Sequence, residues 1–210
     1  MKNDQPLDDI RSLIDSVPSI DMSSINNIDS IIKENDLMHY LGVNVDNIKS
    51  LAGWQGIIPK IKKPLISIFA GTHGVAESVF DKDIVDIAKE GLKAVSDGSS
   101  GVRGIAKSLQ AAFKVYELGV EYPSTNFTKG PSLSEKDCAA AIAFGMEVVA
   151  EGADIIAIGC AGLETNTAAI AIAISLYEES PVDYFKGNHK KNSLRLEAVE
   201  NGILRHQASL

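Results

Sequence analysis

From residue 64 onward, short apolar runs alternate with longer segments in which apolar positions recur at helical spacing. The runs PLISIFAG (64–71), FKVYELGV (113–120) and ADIIAIGC (153–160) are short and rich in β-branched and aromatic residues, so each reads as a buried strand. Pro64 suits the first position of a strand, where a ladder N–H is not needed. Segments 81–96, 102–112 and 134–151 carry the helical period. The last of these has Ser134 and Asp137 in capping-box spacing and Cys138, Ile142, Met146 and Val149 down one side. Strands interleaved with helices predict an α/β fold, a Rossmann-like parallel sheet with helices on both faces.

The first 50 residues follow a different pattern. Asp, Asn and Ser are mixed with spaced Ile and Leu, which predicts short amphipathic helices forming a small N-terminal helical arm over 1–50, ahead of the α/β domain over 51–210. Leu7, Ile10, Leu13 and Ile14 fall on one face and need cover, from the main domain or from a second subunit.

In sheets of this class, ligands gather beyond the carboxyl ends of the strands. Those ends here are AGTHG, LGVEYPSTN and GCAGLETN. His73 follows the first strand and could carry a proton, or simply hydrogen-bond a neighbouring loop. The second loop offers Glu121, Ser124, Thr125 and Asn126 to polar groups, although a plain crossover would look similar. The third is a strand–loop–helix hinge. Gly159 and Gly162 permit close approach, and Thr165, Asn166 and Thr167 can cap the following alanine-rich helix, so its free N–H groups suit an anion. Glu164 is the awkward residue, because a carboxylate there repels the anion that the helix dipole attracts. A bound phosphate would require it to point away.

Composition narrows the function classes. At 210 residues and 45% hydrophobic, the chain can bury one sizeable core. A net charge of −8 with no compensating basic face argues against nucleic acid. The two cysteines, Cys138 and Cys160, lack zinc-site spacing, and no metal site is expected. With no signal peptide and no apolar run of membrane-spanning length, a cytoplasmic protein without membrane association is expected. Neither a Walker phosphate loop nor a serine nucleophile elbow is present.

Three segments taken together, LAGWQGIIPKIKKPLISIFAGTHGVAE, STNFTKGPSLSEKDCAAAIAFGMEVVAEGADIIAIGCAGLETNTAAIA and LRLEAVENGILRH, resemble the nicotinate-nucleotide:dimethylbenzimidazole phosphoribosyltransferase family of cobalamin lower-ligand assembly. The resemblance implies a homodimer that moves phosphoribose from nicotinate mononucleotide to 5,6-dimethylbenzimidazole, giving α-ribazole phosphate without metal or cofactor. It also implies substrate contacts from Gly159, Gly162, Thr165, Asn166, Thr167, His73 and Asn126, and places Phe80 near a small residue that shapes the benzimidazole pocket. The departures are specific. The hinge of the family reads Gly-Glu-Met-Gly-Ile-Gly-Asn-Thr-Thr, so Cys160 replaces its acidic residue and Glu164 a glycine. Thr72 replaces the Asp or Asn before His73-Gly74. A second glycine-rich loop is replaced by PVDYFKGNHKKN, and the carboxyl-terminal region with the family's catalytic glutamate has no counterpart. No catalytic residue is therefore assigned. Loss of a general base costs about 100- to 10,000-fold, so poor or no turnover by this chain alone is expected. The alternative is a non-catalytic binding or assembly protein, or a homologue completed by a second chain.

Overall fold

The computed structural model describes residues 6–150, 152–177, 179–187 and 190–209. Four helices precede the first strand: α1 (Asp8–Asp15), α2 (Met22–Glu34), α3 (Met38–Leu41) and α4 (Val45–Gln55). Asp21 caps α2 by accepting a 2.9 Å bond from the Ser23 N–H. Helices α2 and α4 bury Ile28, Ile32, Val45 and Ala52 between them, with Ile31, Leu37, Leu41 and Ile48 around the edge. Gly53 lets Ile20 and Ile25 come so close that a Cβ there would lie 2.5 Å from the Ile20 side chain. Ile32 is 2% exposed, and Ile32→Ala is expected to lower unfolding free energy by about 2–5 kcal/mol through the cavity it leaves, read from urea denaturation. Helix α1 contributes nothing to this core. It has no fully buried residue: of its apolar face Leu7 and Ile10 are half-buried, while Leu13 and Ile14 are exposed.

The α/β part contains β1 (Pro64–Ala70), α5 (Ile84–Ser96), α6 (Val102–Ser108), β2 (Ala112–Glu117), α7 (Glu135–Ala150), β3 (Ile155–Cys160), α8 (Thr165–Tyr177) and α9 (Asn192–His206). The three strands form one parallel sheet in the order β2-β1-β3, with Ile68 aligned to Val115 on one side and to Gly159 on the other. One face packs Ala70 and Val115 against Ala88 and Leu92 of α5. On the opposite face Tyr116 stacks on Phe69 and meets the edge of Phe144 from α7. Ser134 caps α7 as the capping-box spacing predicts, its Oγ accepting from the Asp137 N–H at 3.1 Å.

Several boundaries differ from the sequence expectation: α5 starts at Ile84 and β3 at Ile155, each later than expected, and two elements end early. Helix α6 stops at Ser108 because Gln110 takes φ +54 and turns the chain into β2. Strand β2 stops at Glu117 because Gly119, at φ +70, turns the chain away. The apolar stripe of α7 is also less covered than expected. Ile142, Met146 and Val149 line a hollow of about 310 Å³ beside Ile156 and Ile158, and remain exposed because β3 is the last strand of the sheet. No described helix is long and apolar enough to cross a membrane.

Candidate functional site

The loops after β1 and β3 continue side by side beyond the sheet. Leu163 donates its N–H to the Gly71 carbonyl at 3.2 Å, and His73 donates to the Leu163 carbonyl at 3.3 Å, leaving Thr72 bridged to Leu163. The buried Thr72 hydroxyl donates to the Val120 carbonyl at 2.8 Å, and Ser124 N–H donates to the Thr72 carbonyl at 3.0 Å. Thr72, which stands where the family has Asp or Asn, therefore knits all three carboxyl-edge loops together.

Two hollows open at this edge. The larger, about 780 Å³, has Phe69, Leu118, Tyr122, Pro123 and Leu133 among its walls, with His73, Ser124, Thr125, Ser134 and Asp137 as polar points. The smaller, about 470 Å³, lies at the start of α8 and is lined by Glu164, Thr165, Asn166, Thr167, Tyr184, Asn192 and Arg195. Cys160, Gly162 and Thr165 border both. Gly162 is required at the junction, since a Cβ would lie 2.4 Å from Thr165 Oγ1 and 2.9 Å from the Gly71 carbonyl oxygen.

Six of the eight residues expected at the site come to this edge: His73, Gly159, Gly162, Thr165, Asn166 and Thr167. Their roles differ. Gly159 lies within β3 and packs against Ile68, where a Cβ would meet the Ile68 side chain at 2.7 Å. Thr167 is buried and donates its hydroxyl to Glu164. Thr165 Oγ1 donates to the Gly162 carbonyl at 2.9 Å and closes the turn. Asn126 and Phe80 do not line either hollow. The buried Asn126 amide is engaged within the fold, its nitrogen donating to Ser78 Oγ from the segment after β1 and its oxygen accepting from the Thr128 N–H and hydroxyl. Phe80 lies beneath Lys191, whose Nζ is 3.2 Å from the ring centroid.

Glu164 is the residue whose setting changes the reading most. It adopts φ +59, the left-handed conformation that glycine takes most readily, at the position where the family has glycine. Its carboxylate is 9% exposed and turned to Arg195, which donates Nε–Oε2 at 2.9 Å and Nη2–Oε1 at 2.7 Å. Burial pushes the Glu164 carboxyl up, but the Arg195 bonds, the Thr167 hydroxyl and the positive charges of Arg195 and Lys191 outweigh it and hold the group below the usual carboxylate range. Arg195 was invisible at the sequence level, as an ordinary basic residue on a helix remote from the hinge. Burial pushes the His73 imidazole down, and the Glu164 charge offsets this only in part, so the neutral form is favoured.

A family model described as phosphoribosyltransferase matches residues 38–209. The chain belongs to that family. A nicotinate-nucleotide–dimethylbenzimidazole phosphoribosyltransferase of Brucella anthropi is 31% identical over 215 residues, which cover 98% of this chain and 62% of the relative. The enzyme of the same name from Sinorhizobium medicae is 33% identical over 175 residues, 82% of this chain and 51% of the relative. A crystal structure of the Thermus thermophilus phosphoribosyltransferase shares the fold, with a TM-score of 0.75 at 20% identity over 89% of this chain and 62% of that one. The chain thus spans less than two thirds of the length of these family members. Its hinge holds Gly162 at a position that admits no Cβ, and Glu164 is buried and paired with Arg195.

Proposed function

We propose that this chain transfers phosphoribose from nicotinate mononucleotide to a nitrogen of 5,6-dimethylbenzimidazole, releasing nicotinate and forming α-ribazole phosphate. The observation that carries this reading is the pair of hollows sharing Cys160, Gly162 and Thr165, one walled by aromatic and aliphatic side chains and one by hydroxyl, amide and charged groups at a helix start. The larger suits the flat aromatic base, and the smaller suits the ribose and phosphate. Bond breaking at the anomeric carbon sends the electron pair to the nicotinate ring nitrogen and discharges its positive charge. The benzimidazole lone pair forms the new bond, and its N–H proton leaves. His73 borders the larger hollow next to the shared turn and accepts that proton, which a neutral imidazole can do. The reading is consistent with homodimeric, cytoplasmic members of the family, with small-molecule substrates as the only ligands.

The test is a product assay by liquid chromatography and mass spectrometry, with the chain at concentrations equal to substrate. Slow formation of α-ribazole phosphate is expected, falling a further ~100-fold in His73→Gln. No product from the folded chain after prolonged incubation would overturn the proposal.

A further inference from the structure

Among the described residues that line the smaller hollow, Arg195 is the one cation and Glu164 the one carboxylate, and they hold each other. The guanidinium presents its Nε and Nη2 edge to both carboxylate oxygens, the same fork with which arginine grips a phosphate. Glu164 is tied at that spot from its own side as well. It immediately precedes the first residue of α8, its main chain takes the left-handed turn, and the buried Thr167 hydroxyl donates to it from within the first turn of the helix. A carboxylate therefore lies on the edge of Arg195 that would grip a phosphate, at the N-terminus of a 13-residue helix.

We infer that Glu164 is a built-in competitor for the phosphate of the substrate, so that Arg195 is the phosphate-recognising side chain of this chain and Glu164 sets how weakly it binds. This rests on the reading of the smaller hollow as the phosphoribose site. A phosphate monoester entering the hollow must replace the carboxylate on Arg195, so its net gain is a difference between two ion pairs. A ligand without phosphate gains nothing from the displacement. The pair thereby lowers affinity for the phosphate group selectively and leaves recognition of the sugar ring unchanged. Glu164 is thus the one carboxylate set against Arg195 among the described residues lining this hollow.

Binding of inorganic phosphate and of ribose 5-phosphate, with ribose as the phosphate-free control, tests this by calorimetry on the full chain. Glu164→Gln keeps the side-chain length and the contact with Thr167, while Glu164→Gly also relieves the left-handed main chain. Both variants are expected to bind inorganic phosphate and ribose 5-phosphate about tenfold more tightly, an electrostatic gain of ordinary size for a single freed guanidinium. Ribose affinity should not move. Arg195→Gln placed in the Glu164→Gln background should abolish the gain. Unchanged or weaker phosphate binding in Glu164→Gln, with circular dichroism showing an intact fold, would overturn the inference and leave the pair a purely structural one. Because no turnover is measured, failure of the phosphoribosyl-transfer assay and failure of this inference are separate results.

Discussion

Arg195→Ala is expected to lower the unfolding free energy by about 3 kcal/mol at pH 7, the range for stranding one member of a buried ion pair. The Glu164 carboxylate would keep its burial and lose all three guanidinium bonds, leaving Thr167 as its remaining side-chain hydrogen-bond partner among the described residues. The sign of the pH dependence follows from its depressed pKa. Glu164 binds its proton less readily in the native state than in the unfolded chain, so its stabilising effect is complete above the unfolded value, about 4.3, and disappears as pH falls through the lower native value. Urea midpoints for the parent and Arg195→Ala should thus lie far apart at pH 7 and converge below pH 4. Adding Glu164→Gln to Arg195→Ala should restore part of the loss, because no charge is then left unpaired. Additive losses in the double variant would show that the pair does not act as a unit.

Gly74→Ala is expected to cost about 2–3 kcal/mol and to open the larger hollow. A Cβ at Gly74 would lie 2.1 Å from the Ser124 carbonyl oxygen and 2.6 Å from the Asn126 nitrogen, main-chain atoms that cannot swing aside as a side chain can. The Gly74 N–H also donates to Ser124 Oγ at 3.2 Å, a bond that would break as the loop is pushed off. Amide hydrogen exchange should accelerate in residues 122–126 and leave α2 and α4 unchanged. Gly145→Ala is the matched control. Nothing lies within 4 Å of its Cβ position, and alanine favours the helix, so stability should hold or rise by up to about 1 kcal/mol. A Gly74→Ala chain as stable as the control would mean that the 120s loop yields freely and does not brace His73.

The strands were legible because each is a short apolar run, and the order of strands and helices then left few topologies. The hinge was legible for a related reason, since Gly162 and three polar residues between a strand and an alanine-rich segment have few uses. What escaped the sequence depends on contacts between distant residues. Glu164 reads as a defect in an anion site until Arg195, 31 residues on, is seen to neutralise it. Asn126 looks as available as Asn166, but only the folded loop shows that its amide is already committed to Ser78 and Thr128. The family resemblance sets Phe80 beside the base pocket, and only the fold shows that Lys191, from beyond the hinge, lies over its ring. The apolar face of α1 is legible as a face but not as a contact, because amphipathic spacing states which side seeks cover and not what supplies it.

The central place of β1 has a kinetic consequence. It must pair on one side with a strand that leads to Val120, 48 residues beyond Thr72, and on the other with a segment anchored where Asp154 accepts from Lys63, 91 residues apart. Both closures are non-local, and high contact order slows folding. The core between α2 and α4, whose contacts are short in sequence, is free to form early, while the junction of the two hollows exists only after the longest closure is complete. A chain emerging from the ribosome would therefore hold its N-terminal helices well before the junction of the two hollows had formed.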